Sequence, residues 1–296
     1  MKLKELEYLI KDKDITHLSN FKTPAKSKYY FEIHDRQDID KLVEIYYFSK
    51  QNNLKVLLVW WGTNMLFAFD LFDWIVINNC LEWWSFDYET NMLESYSSEY
   101  ISDISLNLFN KWIVLWKRFI WLPWSIWWAI FWNAWCFWLE TENNFISAEV
   151  LDVEIGNITI LNKNQMDFEY RSSVIKKTDK YFIISAKFDL STLIEKYSSD
   201  VDNLYFREYK QPKGNTCGSF FKNPSKEQSA WKLIEEVWLK WKNIGWAFFS
   251  ELHANFLMND WAANYRDLLE LINLAQKEVK NTYNIDLVPE VRIITN

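Results

Sequence analysis

Glycine is scarce in this 296-residue sequence, which has five glycines, about 2% of the chain where about 7% is usual. Few residues are therefore available to form the turns that glycine normally permits. Cysteine is scarce too, and Cys80, Cys136 and Cys217 are odd in number and far apart. This spacing excludes a disulfide framework and a zinc site and is typical of reduced cytosolic thiols. The three histidines are also scattered, so no metal site is predicted.

Excess positive charge is also absent, since the net charge is −7. The chain therefore has no basic field to attract nucleic acid or an anionic membrane. The N-terminal segment MKLKELEYLIKDKD is charged throughout and lacks the apolar centre of a signal peptide, so a cytoplasmic location is expected. With 49% hydrophobic and 25% charged residues, the composition is that of a globular protein of one large or two ordinary domains.

Tryptophan, by contrast, is abundant, with 19 copies. The uncharged stretch from Phe119 to Leu139 is rich in it and is long enough to cross a bilayer, which takes roughly 20 residues. However, Pro123, Ser125 and Asn133 interrupt the stretch, and tryptophan normally gathers at the two membrane interfaces rather than along a span. A membrane-associated, tryptophan-rich protein stays as an alternative interpretation.

Many tryptophans stand where glycine is expected in turns, as in Trp60-Trp61-Gly62, Pro123-Trp124-Ser125 and Asn259-Asp260-Trp261. Glycine and tryptophan together make up about 8% of the chain, which is a normal glycine content. We therefore form the hypothesis that these positions are glycine in the natural protein. It would follow if the gene uses UGA codons for glycine and they are translated as tryptophan.

Hydrophobic periodicity predicts a mixture of helices and strands, with a change of pattern near residue 200. Helices are predicted in the charged N-terminal segment and over residues 35–53, 93–111, 191–199 and 264–283. Strands are predicted over 54–59, 74–80 and 180–190, with a hairpin in 145–162 that turns at Gly156-Asn157 and a further strand at the C-terminus. The fold class is therefore expected to be α+β.

Several motifs follow one another along the chain. The predicted strand 54–59 runs into the turn Trp60–Asn64, which could approach a pyrophosphate closely if positions 60 and 61 were glycine. The most specific motif is Gly218–Pro224, GSFFKNP. With tryptophan read as glycine, these motifs, together with 122–138 and Tyr170–Ser173, resemble those of the flavin-dependent UDP-N-acetylenolpyruvoylglucosamine reductases of bacterial cell-wall synthesis. The resemblance runs from about residue 20 to residue 292.

The resemblance implies an FAD-binding domain of the vanillyl-alcohol-oxidase (PCMH) type in two subdomains over residues 1–200. A C-terminal α+β substrate-binding domain would follow over 201–296. NADPH would reduce FAD, and the flavin would pass hydride to UDP-N-acetylglucosamine enolpyruvate to give UDP-N-acetylmuramate, a peptidoglycan precursor needed for cell shape and division. The short interval between Arg171 and Ser219 indicates the shorter subclass. A monomer is expected, with neither nucleic acid nor membrane as partner.

The resemblance also assigns residues. Arg171 and Glu290 would stabilise the enolate that hydride addition creates, the acid acting in its neutral form, and Ser219 would donate the proton that quenches it. The predicted substrate-binding residues are Tyr170, Lys210, Asn223 and Arg292. The predicted cofactor-binding residues are Trp60, Trp61, Gly62, Thr63, Asn64, Met65, Pro123, Trp124, Ser125, Trp128, Ala129, Asn133 and Ala134.

An inactive flavin-binding relative is a further alternative. If the tryptophans are literal, the indoles at 124, 127 and 128 would fill the space that a flavin needs.

Overall fold

The computed structural model describes residues 6–60, 64–136, 138–191, 211–225 and 227–296. Its residues divide into two units whose segments interleave along the chain. The first unit takes Met1–Tyr8, Phe31–Trp61 and Ile77–Leu204, and the second takes Leu9–Tyr30, Gly62–Val76 and Tyr205–Asn296. The predicted division at residue 200 stays a prediction.

The described residues form sixteen strands and seven α-helices, numbered here in chain order. The strands are β1 (Ile10–Asp14), β2 (Lys26–Ile33), β3 (Val56–Trp60), β4 (Met65–Phe67), β5 (Leu71–Asn79), β6 (Trp84–Asp87), β7 (Met92–Tyr96), β8 (Trp135–Cys136), β9 (Leu139–Glu140), β10 (Phe145–Asp152), β11 (Asn157–Asn162), β12 (Tyr181–Asp189), β13 (Asn243–Ile244), β14 (Ala247–Phe249), β15 (Leu257–Asn259) and β16 (Arg292–Ile294). The helices are α1 (Asp38–Asn52), α2 (Ile101–Phe109), α3 (Ile126–Phe131), α4 (Thr141–Asn144), α5 (Val174–Thr178), α6 (Ala230–Glu236) and α7 (Tyr265–Tyr283).

The first unit is built on a five-stranded antiparallel sheet in the order β11-β10-β12-β7-β6. Strands β10 and β11 pair from Ser147↔Asn162 to Asp152↔Asn157, which confirms the predicted hairpin. Its connection is longer than the predicted two residues. Gly156 closes the connection with a φ of +72°, and its N–H donates to the carbonyl of Asp152 at 2.8 Å. The positive φ at this position is one that glycine adopts at little cost.

Two predicted helices are corrected by strand pairing. Residues 93–111 were predicted to be helical, but the first part belongs to β7, which lies between β12 and β6, and only Ile101–Phe109 forms a helix. The charged N-terminal segment was also predicted to be helical, yet Ile10–Asp14 pairs antiparallel with β2. In both places hydrogen bonds to a distant strand override the local helical pattern. The helix predicted over 191–199 lies almost wholly outside the described residues.

The hydrophobic core of the second unit packs against helix α7. Strands β13, β14 and β15 form an antiparallel sheet, and β16 pairs parallel with β4. Helix α7 begins at the N-cap Asn264, whose side chain accepts the N–H groups of Arg266 and Asp267, so the helix predicted over 264–283 is confirmed. Its buried face joins one cluster with residues of the GSFFKNP motif and of β15, and consists of Leu268, Leu271, Ile272, Ala275 and Val279. Burial of each large apolar side chain contributes roughly 1.5–3 kcal/mol.

The uncharged stretch 119–139 does not form one continuous helix. It contains the end of a 3₁₀ helix (Leu115–Phe119), the six-residue helix α3 and the short strands β8 and β9. Within the described part of the chain, no helix is long and apolar enough to cross a membrane.

Candidate functional site

In the second unit, Ser219 lies on an extended segment anchored by two buried phenylalanines. Gly218 before it has a φ of +87°, in the region where glycine is favoured. Ser219 forms an antiparallel bridge with Phe256. Phe220 and Phe221 are buried in the core, whereas Ser219 is partly exposed. The backbone therefore fixes the position of a partly exposed serine.

Asn255 holds this segment in place. Its amide group donates to the carbonyl of Phe221 at 2.8 Å and accepts the N–H of Phe221 at 2.9 Å, while its own carbonyl accepts the N–H of Phe220 at 2.7 Å. Asn255 is buried. The sequence did not reveal this role, although Asn255 belongs to SELHANFLMND, the segment that follows the GSFFKNP motif and the next helix.

Glu290 lies just before β16, beside the Ser219 segment, and Arg292 is the first residue of β16. The N–H of Glu290 donates to the carbonyl of Phe220 at 2.7 Å, which brings the predicted acid and the predicted proton donor onto neighbouring segments. Asn64 joins the same network, because its side chain donates to the carbonyl of Glu290 at 3.1 Å and its carbonyl accepts the N–H of Arg292 at 2.9 Å. Asn64 is buried with a φ of +67°, and Met65 next to it pairs with Arg292.

In the first unit, Tyr170 and Arg171 form the tip of a tight turn. Glu169 and Ser172 exchange two backbone hydrogen bonds of 3.1 Å across it. Arg171 has a φ of +56°, and its guanidinium carbon lies 5.7 Å from the centroid of the Trp124 ring. The Tyr170 side chain is exposed. The turn therefore presents both predicted residues at its corner, with the arginine beside residue 124 of the predicted flavin segment.

The predicted flavin segment, residues 122–134, contributes helix α3. Ser125 is its N-cap and accepts the N–H of Trp128 at 3.4 Å. The N–H groups of Ile126 and Trp127 donate to carbonyls of residues 99 and 97, both at 2.8 Å. Pro123 precedes this helix, and Ala129 and Ala134 are buried.

Asn133 follows helix α3 and ties the segment to the Arg171 turn. Its φ is +42°, and its side-chain amide donates to the side chain of Glu140 at 3.0 Å and to the carbonyl of Glu169 at 3.3 Å. The network therefore holds the predicted flavin segment and the turn that carries Tyr170 and Arg171 in a fixed arrangement.

Indole rings fill the centre of this segment. Trp60 stacks on Trp127 with ring centroids 3.6 Å apart and an interplanar angle of 17°, and Trp128 meets Trp60 edge-on. All three side chains are buried, and their N–H groups have no hydrogen-bond acceptor among the described residues. A buried indole N–H normally finds a partner. If FAD binds at the predicted flavin segment, tryptophan at these positions does not fit it, because the indoles occupy the space that the cofactor would need there.

The other predicted residues have more limited roles in the structure. Asn223 is exposed, and its amide oxygen accepts the N–H of Ala230 at 3.0 Å, so it helps to fix the start of α6. Trp61, Gly62, Thr63 and Lys210 lie outside the described residues. Within the described ranges, no group of three or more His, Cys, Asp or Glu residues could hold a metal ion.

The fold is that of a known enzyme structure. It matches the crystal structure of UDP-N-acetylenolpyruvylglucosamine reductase from Thermus caldophilus with a TM-score of 0.73, covering 97% of this chain and 100% of that one at 18% sequence identity. The predicted α+β class is therefore confirmed.

Sequence similarity then identifies the family. The chain is 32% identical over 262 residues, 86% of its length and 84% of the relative's, to the UDP-N-acetylenolpyruvoylglucosamine reductase of Clostridium botulinum strain Eklund 17B. It is 30% identical over 95% of its length to the enzyme of that name from Protochlamydia amoebophila, of which 92% is covered. Residues 209–294 match the C-terminal domain of UDP-N-acetylenolpyruvoylglucosamine reductase. The chain belongs to the UDP-N-acetylenolpyruvoylglucosamine reductase family, as its motifs predicted.

Proposed function

We propose that this protein reduces UDP-N-acetylglucosamine enolpyruvate to UDP-N-acetylmuramate for peptidoglycan synthesis, with FAD as cofactor and NADPH as reductant. Family membership over most of the chain supports the reaction class. The observation that carries the proposal is the 2.7 Å hydrogen bond from the N–H of Glu290 to the carbonyl of Phe220, because it aligns two motifs that are far apart in sequence. Ser219 and Glu290, the residues on which proton transfer would depend, lie on these two segments.

The reaction adds a hydride to one carbon of the enolpyruvyl double bond and a proton to the other. The hydride would be supplied by the cofactors, whose chemistry the protein only orients. The carbon that takes the proton lies beside the substrate carboxylate, so negative charge develops there as an enolate. Ser219 would donate the proton from its partly exposed position. Since a serine hydroxyl is a weak acid, the departing negative charge on its oxygen needs stabilisation.

Two residues would stabilise the enolate. Arg171 carries a permanent positive charge at the corner of its turn, and Glu290 in its neutral form would donate a hydrogen bond. Tyr170, Lys210, Asn223 and Arg292 would bind the substrate, because cationic side chains suit a diphosphate and a carboxylate. These assignments come from the resemblance and are part of the proposal.

The test requires two forms of the chain. The tryptophan form has tryptophan at all 19 positions, and the glycine form has glycine at all of them. The glycine form, reconstituted with FAD, is expected to consume NADPH when UDP-N-acetylglucosamine enolpyruvate is added and to release UDP-N-acetylmuramate, detected by mass. A glycine form that binds FAD but neither consumes NADPH nor forms this product would overturn the proposed function.

One observation favours a second candidate function for the tryptophan form alone. Because its indoles fill the flavin segment, that form is expected to be a colourless, inactive relative. Equal activity of the two forms would exclude this candidate.

The proposed setting is the cytoplasm, where the nucleotide substrate and NADPH are available, and the proposed state is a monomer. Gel filtration of the glycine form would check the state, since elution at the volume of a dimer would contradict it.

A further inference from the structure

Six tryptophans have a backbone conformation that suits glycine. Their φ angles lie between +61° and +73°, and they are Trp112, Trp121, Trp138, Trp238, Trp241 and Trp261. Most of the other described non-glycine residues with positive φ are asparagine or aspartate, which tolerate this region. The sequence holds 21 phenylalanines and 15 tyrosines, yet none of those that the structure describes has a positive φ. Bulky aromatic residues therefore avoid this conformation here, with tryptophan as the exception.

Two of these six residues end helices in a motif that normally uses glycine. After α2, the N–H of Trp112 donates to the carbonyl of Phe109 and the N–H of Ile113 to that of Leu108, both at 3.0 Å. After α6, Trp238 and the residue that follows it form the same pair of bonds, at 3.0 and 3.2 Å. This pattern is a Schellman motif, whose left-handed position is usually glycine and sometimes asparagine.

The same chain uses the expected residue type elsewhere. Asn53 and Asn133 occupy the left-handed position of the same motif after α1 and α3, with φ values of +52° and +42°. The four helix ends therefore share one backbone geometry. Two carry a residue that suits it, and the other two carry tryptophan.

Burial gives no compensation for these six tryptophans. Their side chains are exposed, with 89% exposure at Trp112, 90% at Trp238 and 76% at Trp261. An indole stabilises a fold chiefly by burying its large apolar surface. The six exposed tryptophans gain little stability from burial, and the left-handed backbone conformation still destabilises the fold at each of them.

A second group of tryptophans is buried with indole N–H groups that make no hydrogen bond within the described part of the chain. The N–H groups of Trp60, Trp116, Trp127 and Trp128 have no acceptor among the described residues. Burial of an N–H without a hydrogen bond is unfavourable. Tryptophan is thus poorly suited to both groups of positions, for opposite reasons, whereas glycine has neither an indole to bury nor a penalty at positive φ.

We propose that the 19 tryptophan positions are glycine in the protein that the cell makes, and that the gene encodes them with UGA codons. The proposal rests on backbone geometry, indole burial and composition, and none of these depends on the proposed function. One consequence does rest on that function: without indoles at positions 60, 127 and 128, the segment where the resemblance places FAD has room for the cofactor.

The identity of the residues can be read directly from the native protein and its gene. Mass spectrometry of the protein purified from its own cells is expected to give an intact mass well below 35.9 kDa, with glycine in the peptides that contain positions 112 and 238. The gene is expected to carry UGA at all 19 positions. UGG codons, or native peptides with tryptophan at these positions, would overturn the proposal.

Cofactor uptake tests the consequence for the flavin segment. The glycine form, mixed with FAD and desalted, is expected to retain the visible absorption of bound flavin, and the tryptophan form to lose it. A matched control changes only the six tryptophans with positive φ to glycine, so it relieves their backbones but keeps the indoles at 60, 127 and 128. It is expected to fold and to lose the flavin.

Two outcomes would distinguish the filled-segment explanation, the proposed function and the glycine assignment from one another. Flavin retention by the control at the level of the glycine form would overturn the filled-segment explanation. Flavin retention by the glycine form without turnover of the enolpyruvyl substrate would overturn the proposed function and leave the glycine assignment intact.

Discussion

Ser219 is the residue whose removal should separate the two halves of the proposed reaction. In the glycine form, Ser219→Ala is expected to leave flavin reduction by NADPH unchanged, because the serine does not take part in that step. Turnover of the enolpyruvyl substrate is expected to fall by about 10²–10⁴-fold, the usual contribution of a positioned proton donor. Stopped-flow absorbance measures the first step, and steady-state NADPH consumption measures turnover.

Ser225→Ala is the matched control. Ser225 lies in the same loop, and its hydroxyl contacts Glu227 and the N–H of residue 228. Turnover by the Ser225→Ala variant is expected to stay within a few-fold of turnover by the parent. Were Ser219→Ala also to stay within a few-fold, another residue would have to donate the proton.

Asn255 is expected to contribute stability through its two bonds to Phe221. Asn255→Ala removes partners from both the N–H and the carbonyl of a buried residue. Each buried group left without a hydrogen bond costs about 1–3 kcal/mol. Urea denaturation should therefore show a loss of that order or more in the free energy of unfolding. Asn107→Ala, at an exposed position on α2, should change it by only about 0.5 kcal/mol.

Some residues of the candidate site could be predicted from the sequence, and others could not. Ser219, Arg171 and Glu290 were assigned from the resemblance to a family, and the structure brings Ser219 and Glu290 onto neighbouring segments. Asn255 was not assigned, because its role depends on contacts with residues 34 positions away that no local pattern encodes. Asn223 was assigned to substrate binding, and the structure adds a contact with the start of α6 that spacing did not indicate.

At the scale of a single element, the segment 250–256 is expected to make stability depend on pH. Burial lowers the pKa of His253 below its usual value, and its Nδ1 accepts the N–H of Asn255 at 3.3 Å. The unfolded chain therefore binds a proton at this histidine more readily than the folded one does. Stability should be lost as the pH falls below about 6.5, the pKa of an unperturbed histidine.

Thermal unfolding of the parent and of His253→Gln at pH 7.5 and pH 5.5 checks this prediction. Glutamine cannot take up the proton, so the variant should lose less stability on acidification than the parent. Equal losses in the two proteins would show that other groups cause the pH dependence.

The C-terminal ends of α2 and α6 allow a direct comparison of the stability that glycine and alanine give at a position with positive φ. At position 112 or 238, glycine is expected to stabilise the fold by about 1 kcal/mol relative to alanine, because only glycine takes a positive φ without strain. Trp231, the second residue of α6, provides the control because its φ is not positive. Here alanine should be more stable than glycine by roughly 0.5 kcal/mol, since glycine weakens a helix. The midpoints of urea denaturation measure the glycine–alanine difference at all three positions. If the glycine variant were also more stable than the alanine variant at position 231, positive φ could not explain the stabilisation by glycine at position 112.

Elements were predicted well where their pattern is long and local. Helices α1 and α7 follow from apolar periodicity over four or more turns, and the β10–β11 hairpin follows from alternation. Strand β7 was missed because its central position in a sheet, between β12 and β6, depends on partners that are distant in sequence. The change of hydrophobic pattern near residue 200 could not indicate the interleaving of the two units. Strands β2 and β5 each begin in the second unit and end in the first, and only contacts between distant residues reveal this.

For the whole molecule, FAD is expected to stabilise the glycine form by mass action. A ligand that binds only the folded state adds about 2.7 kcal/mol at a concentration 100 times its Kd. The melting temperature of the glycine form should therefore rise steadily with the logarithm of the FAD concentration. The tryptophan form should not respond, because indoles fill its predicted flavin segment. Scanning calorimetry with FAD, and with riboflavin as a weaker-binding control, measures the difference. A similar rise in both forms would contradict it.

The position of Trp60 at the end of β3 has a consequence for inheritance. It is the first tryptophan in the chain, so under the proposal it corresponds to the first UGA codon. Most organisms read UGA as a stop signal, and a ribosome there would release a fragment that ends at Val59. Such a fragment would lack Ser219, Arg171 and Glu290. Transfer of this gene to an ordinary bacterium would therefore confer no reductase, and the lineage that carries it would be genetically isolated from its neighbours at this step of wall synthesis.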